Sequence, residues 1–139
     1  MHAAIDDFSR VAYVEILDDE RKESAIAFLE RMTTWFNHHG IQVSEILTDN
    51  GSCYRAKTFA AACAALGLKH RRTRPHRPRT NGKAERFIQT MLREWVYAIV
   101  YRTSNQRALA LRPWLDYYNQ RRPHGALSHR APATRLPAT

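Results

Sequence analysis

Two carboxylates stand in short polar motifs that could do chemistry: Asp49 in Leu47-Thr48-Asp49-Asn50-Gly51-Ser52, and Glu85 in Thr80-Asn81-Gly82-Lys83-Ala84-Glu85-Arg86-Phe87. They are separated by 35 intervening residues in a chain that is otherwise strongly basic. Carboxylate oxygens are the ligands that hard divalent cations prefer, so an acidic pair presented to a polyanion points to metal-assisted phosphodiester chemistry on DNA. Each motif also has a plain structural reading. Asp-Asn-Gly is a common turn, and a glutamate near a helix N-terminus complements the helix dipole. The combination, with an arginine-rich segment just before Glu85, is more specific than either part.

Composition sets the outer bounds. The chain has 139 residues, which predicts one domain, and a formal charge of +9 from 22 Lys and Arg against 13 Asp and Glu. That balance favours phosphate partners. No stretch approaches the roughly 20 apolar residues of a membrane span, and Met1–Arg10 has no signal-peptide run, so the chain is expected to stay in the cytosol. Cys53 and Cys63 lack zinc-finger spacing and are expected to be packed, reduced thiols. The seven His form no ligand-like cluster; His38 and His39 suit a helix C-terminus.

The elements that must position the acids alternate in type. Val11–Leu17 reads as a strand, preceded by a short arm at Ala3–Ile5 and a turn at Asp6-Asp7-Phe8-Ser9. Ala25, Phe28, Leu29, Met32, Trp35 and Phe36 fall on one helical stripe that Gly40 can end. Ile41–Thr48 then predicts a half-buried strand with Asp49 at its C-terminal end, Ala56–Leu66 a helix closed by Gly67, and Leu68–Thr73 another strand. Pro75 and Pro78 break regular structure, and residues 70–79, with five Arg and two His, read as a basic loop. A helix from Lys83 to about Tyr101 carries Glu85 near its start, and a further helix over about Gln106–Arg121 is expected to break or start late at Pro113. Trp95, Trp114, Tyr117 and Tyr118 at helical spacing read as packing residues rather than base-stacking ones. Residues 123–139 read as a basic, proline-containing tail.

Four blocks together resemble the integrase catalytic core of bacterial insertion-sequence transposases and retroviral integrases, the DDE superfamily. They are Ile5-Asp6-Asp7-Phe8-Ser9-Arg10, Leu47 to Ser52, Pro78 to Phe87, and Tyr118-Asn119-Gln120-Arg121-Arg122-Pro123-His124-Gly125-Ala126-Leu127. The similarity covers nearly the whole chain. It implies an α/β, ribonuclease H-like fold: a mixed central sheet flanked by helices, with a helical C-terminal part, an incomplete first strand, a core over residues 1–122 and a tail over 123–139. By the same resemblance Asp49 is the second catalytic acid and Glu85 the third, both ligands of Mg²⁺ or Mn²⁺, with two ions expected in the intact site. The first acid of the pattern would lie upstream of Met1, so the chain is expected to be a fragment or truncated product, weak or inactive alone. Asp6 and Asp7 are the nearest substitutes, although strand-end and turn polarity is the preferred reading for both.

The DNA-binding surface is expected to use Arg71, Arg72, Arg74, Arg77, Arg79, Asn81, Lys83 and Arg86, contacting the backbone with salt-sensitive, weakly sequence-selective binding. Transposon ends and target DNA are the implied partners, and a homo-oligomer is implied by resemblance alone. A non-catalytic DNA-binding or oligomerisation remnant of a transposase is the alternative.

Overall fold

The first turn of the chain is built by one carboxylate. In the computed structural model, which describes residues 1–73, 82–97 and 100–137, β1 (His2–Ile5) pairs with β2 (Ala12–Glu15). Between them Asp6 Oδ2 accepts from the Ser9 N–H at 2.8 Å and the Ser9 hydroxyl at 2.7 Å. The Asp6 N–H donates to Val11 O at 2.8 Å, and the Arg10 N–H donates to Asp6 O at 2.9 Å. An Asp side chain that bonds nearby backbone is a standard way to close such a turn. The expected hairpin is present, with arms of four residues each.

The chain divides into two compact units. One comprises Met1–His2 and the described residues from Glu15 to Gly82; the other comprises Ala3–Val14 and the described residues from Lys83 onward.

In the first unit, α1 (Lys22–His38) buries Ala25, Phe28, Leu29, Met32, Thr33 and Phe36, the stripe legible in its sequence except that Thr33 is buried and Trp35 only half-buried. Gly40 takes φ 83°, and the Ile41 N–H donates to Phe36 O at 2.9 Å, a glycine-assisted helix end. His39 follows α1, its Nδ1 2.7 Å from Trp35 O and its ring stacked on Trp35 at 4.0 Å. β3 spans only Glu45–Thr48, shorter than the strand expected from Ile41. Residues 41–43 start from the helix-ending bond to Phe36, and bonding toward the partner strand begins where the Lys69 N–H donates to Ser44 O at 3.0 Å. A short α2 (Ser52–Arg55), not anticipated from sequence, precedes α3 (Lys57–Ala65), after which Gly67 takes φ 71°. β4 (Lys69–Arg72) runs parallel to β3, with Glu45 opposite Lys69 and Thr48 opposite Arg72. Phe59, Cys63 and Leu68 complete the buried set, and both cysteines are free thiols.

In the second unit, α4 (Gly82–Met91) continues into a π-helical turn over Leu92–Val96. After it, α5 (Ser104–Gln120) starts at Thr103, whose hydroxyl accepts from the Gln106 N–H at 3.1 Å. The break expected at Pro113 is absent: α5 is continuous through it. Proline removes one helical bond, here to the carbonyl of Leu109, and Leu109 is 77% exposed, so water can satisfy that oxygen. Ala12, Val14, Phe87, Met91, Trp95, Leu111 and Tyr118 form the core of this unit. Trp95 and Tyr118 are therefore packing residues, as expected. Beyond α5, Leu127 and Pro132 are buried within two 3-10 turns, and Arg122 forks onto Glu94 at 2.7 to 3.0 Å.

Among the described residues, strand pairing is confined to two two-stranded sheets, β1 with β2 and β3 with β4, where the expectation is one mixed sheet. No helix of the described residues is long and apolar enough to cross a membrane.

Candidate active site

Asp49 is the residue after β3, at the end of a strand as its sequence predicts, and it is exposed. Its Oδ1 accepts from the Gly51 N–H at 2.7 Å, so the plain turn reading holds for one oxygen. The loop around it is tied to β4. The Thr73 N–H and hydroxyl both donate to Thr48 O, at 2.8 and 3.1 Å, and Asn50 Nδ2 donates to Thr73 O at 2.6 Å. Thr48 Oγ1 lies 2.8 Å from His70 Nε2, and burial, followed by the nearby Arg72 charge, lowers the His70 pKa. Burial also pushes the Tyr54 hydroxyl to about 12, with Cys53 and Asp49 adding to the effect. A β-carbon at Gly51 would lie 3.0 Å from Asp49 Oδ1, so the glycine keeps room for that carboxylate.

Glu85 stands in the first turn of α4 and is exposed, as is Arg86 beside it. The opposite face of α4 buries Phe87, Thr90 and Met91, which anchors the helix and turns the two charged residues outward. Asp49 and Glu85 belong to different units. Among the described residues, no three His, Cys, Asp or Glu side chains group as metal ligands.

Both candidate substitutes for the first acid carry structural bonds. Asp6 holds Ser9, and Asp7 Oδ1 pairs with Lys83 Nζ at 2.6 Å. Lys83 also donates to Asp7 O at 2.9 Å, so its charge is partly answered within the protein.

At the start of the basic segment the expected strand over Leu68–Thr73 holds, and the overlapping expectation of a loop over residues 70–79 does not. Arg71 and Arg72 lie on β4 and not in a loop, because the pairing with Leu47 and Thr48 extends the ladder through them. Successive strand residues point to opposite faces, so these two do not share one phosphate track. Arg71 also pairs with Glu45 at 2.9 Å. Arg74, Arg77, Arg79 and Asn81 lie outside the described residues.

Arg10, Asn119 and His124, all in the second unit, lie in the blocks that carry the resemblance, but sequence reasoning assigned none of them a role. Tyr118 Oη lies 3.2 Å from His124 Nε2. Burial lowers the His124 pKa, and the charges of Arg122, Arg10 and Arg86 lower it further. Asn119 is 5% exposed and bonds the backbone of Ala12. The signal available for it was a lone amide beside the apolar positions of a helix.

The fold is shared with solved integrases. One chain of a simian T-cell lymphotropic virus intasome, in complex with PP2A regulatory subunit B56 gamma, superposes with a TM-score of 0.73 at 23% identity. That match covers 96% of this chain and 48% of the viral one. The HTLV-2 integrase catalytic core domain in complex with magnesium gives a TM-score of 0.70 at 18% identity, covering 96% of this chain and 81% of that one. The architecture is thus of the ribonuclease H-like class that integrase catalytic cores define. Residues 1–78 and residues 66–132 each match a profile described as an integrase core domain. The chain belongs to the integrase core domain family. Among curated relatives, the putative transposase InsD for insertion element IS2E of Escherichia coli (strain K12) is 38% identical over 88 residues, 63% of this chain and 40% of that protein. The transposase InsD for insertion element IS2A/D/F/H/I/K of Escherichia coli shows the same identity over 29% of its length. The chain therefore matches less than half the length of these relatives.

Proposed function

We propose that this chain is the catalytic core of an insertion-sequence transposase that cuts and joins DNA ends, acting on nucleoid DNA in the bacterial cytoplasm. The observation that carries the reading is family membership combined with two exposed carboxylates, Asp49 after β3 and Glu85 in the first turn of α4. Their oxygens suit Mg²⁺ or Mn²⁺, and Asp49 has one oxygen engaged by the Gly51 N–H at 2.7 Å, leaving the other for a cation. Divalent ions, two in the intact site, supply charge neutralisation of the phosphate and activation of the attacking water or 3'-hydroxyl.

The protein's own residues position the reactants. Thr48, Asn50 and Thr73 fix the Asp49 loop to β4, and Phe87, Thr90 and Met91 fix the face of α4 from which Glu85 projects. Rigid support of this kind keeps a ligand within reach of its productive geometry. Arg71, Arg72, Arg74, Arg77, Arg79, Asn81, Lys83 and Arg86 grip the DNA backbone, with Lys83 weakened by its pairing to Asp7. Residues 1–122 make the core, with a tail over 123–139 anchored by Leu127 and Pro132. A homo-oligomer assembles on transposon ends and target.

A second reading, a DNA-binding or oligomerisation module without catalysis, is supported by the structural bonds that occupy Asp6 and Asp7, the nearest substitutes for a first acid. Nicking of supercoiled plasmid in Mg²⁺ or Mn²⁺, beside Glu85→Gln to exclude contaminating nuclease, separates the two. Nicking lost in the variant supports the enzyme. Salt-sensitive DNA binding with no nicking supports the module.

A further inference from the structure

A histidine on β4 reaches the backbone of Asp49 through one hydroxyl. In the β3–β4 ladder Ile46 stands opposite His70, and Thr48 opposite Arg72. Side chains alternate along a strand, so Ile46, Thr48 and His70 share one face; all three are half-buried, while Glu45, Leu47, Lys69 and Arg71 are exposed. On that face the His70 ring meets the buried Phe59 ring edge-on, with 5.1 Å between centroids, and its Nε2 lies 2.8 Å from Thr48 Oγ1. Thr48 Oγ1 in turn donates to the Asp49 carbonyl at 3.0 Å.

The two contacts constrain each other. A threonine hydroxyl has one proton to give and lone pairs with which to accept. Because that proton goes to the Asp49 carbonyl, the contact with His70 is a hydrogen bond only if Nε2 carries a hydrogen and donates it. Burial lowers the His70 pKa, so near pH 8 the ring is neutral and has a single N–H. A ring protonated on Nδ1 instead would draw the Thr48 proton to itself and release the Asp49 carbonyl.

We propose that His70 is a positioning residue for the Asp49 carboxylate: with its proton on Nε2 it donates to Thr48 Oγ1, keeps the Thr48 hydroxyl on the Asp49 carbonyl, and so fixes the backbone of the residue that carries the carboxylate. Thr73 already holds Thr48 O, and Asn50 holds Thr73 O, on the same pair of strands. His70 adds the hold on Asp49 itself, from a position outside both acidic motifs. The role rests on the reading of Asp49 as a cation ligand. Support of this kind, one residue removed from the ligand, tunes how well a metal is held.

The test uses the full chain at pH 8 and two NMR readouts. Nitrogen chemical shifts of the His70 ring identify which nitrogen is protonated, and broadening of the Asp49 and Gly51 amide signals gives the Mn²⁺ dissociation constant. Wild type is compared with His70→Phe, which keeps a ring against Phe59 but has no donor, and with His70→Gln and His70→Asn. Glutamine can place its amide nitrogen where Nε2 lies, and asparagine where Nδ1 lies. The expected results are an Nε2–H ring, a dissociation constant raised about fivefold in His70→Phe and His70→Asn, and a value close to wild type in His70→Gln. Melting temperatures are measured alongside, because a merely structural histidine would make Mn²⁺ affinity follow stability and not the place of the donor. An Nδ1–H ring, wild-type affinity in His70→Phe, or no rescue by His70→Gln would overturn the role and leave Asp49 as a ligand. Absence of broadening at Asp49 and Gly51 in the wild-type chain would remove the ligand reading, and the role of His70 with it.

Discussion

Asn119 pairs with Ala12 as a neighbouring strand would: its Oδ1 accepts from the Ala12 N–H and its Nδ2 donates to the Ala12 carbonyl, both at 2.9 Å. One side chain of α5 thereby satisfies a buried residue of β2 that would otherwise need another strand. Asn119→Ala leaves both backbone groups without a partner in a buried position, and each unsatisfied group costs about 1–3 kcal/mol. Urea unfolding of the variant is expected to show a loss of about 2–4 kcal/mol. A loss under about 0.5 kcal/mol would show that water replaces the amide.

Acidification should destabilise the fold through its histidines. His2, His70 and His124 all have pKa values below the ordinary 6.5, burial being the first cause in each. The unfolded chain therefore binds more protons than the folded one just below pH 6.5, so stability is full above that value and falls as pH drops through the folded pKa values. Glu94, held low by the Arg122 bond, adds a second loss below its ordinary 4.5. Melting temperatures measured from about pH 8 to 5 should decline through the histidine window. His124→Phe should make that decline shallower.

Asp7 masks Lys83. Because the ammonium group meets both the Asp7 carboxylate at 2.6 Å and its carbonyl at 2.9 Å, Lys83→Ala should weaken DNA binding less than Arg86→Ala. The pair is solvent-exposed and contributes roughly 0–1 kcal/mol to stability, so Asp7→Asn should fold normally. With Lys83 released, Asp7→Asn should bind DNA more tightly at low salt; unchanged binding would mean Lys83 faces no phosphate.

Gly51 offers a small perturbation of the Asp49 carboxylate. Its φ of −57° is ordinary for any residue, yet a β-carbon would meet Asp49 Oδ1 at 3.0 Å. Gly51→Ala is expected to displace the carboxylate and weaken Mn²⁺ binding several-fold, with little change in melting temperature. Undiminished Mn²⁺ affinity would argue that Asp49 does not bind the cation.

Much of this was legible in local pattern. The α1 stripe, its Gly40 stop, the Asp6 turn and the strand before Asp49 follow from side-chain period and turn chemistry, which neighbours in sequence determine. The errors arose where distant partners decide. Ile41 and Val43 alternate like a strand, yet pairing with β4 begins only at Glu45 opposite Lys69. Arg71 and Arg72 fall in both the expected strand over Leu68–Thr73 and the expected basic loop, and pairing with β3 decides for the strand. Pro113 breaks helices where its lost bond is buried, and α5 tolerates it because Leu109 is exposed. Asn119 gains its meaning from its bonds to Ala12, 107 residues away in sequence, between α5 and β2, which no local signal encodes.

The central claim is that Asp49 and Glu85 are each ligands of a divalent cation. Titration of the amide-labelled chain with Mn²⁺, followed by paramagnetic broadening of NMR signals, tests this without requiring catalysis. Signals of Asp49 to Gly51 and of Glu85 to Phe87 are both expected to broaden, with Asp49→Asn abolishing the broadening of the first segment and Glu85→Gln that of the second. Broadening absent from either segment, or unaltered there by that segment's own substitution, would contradict it.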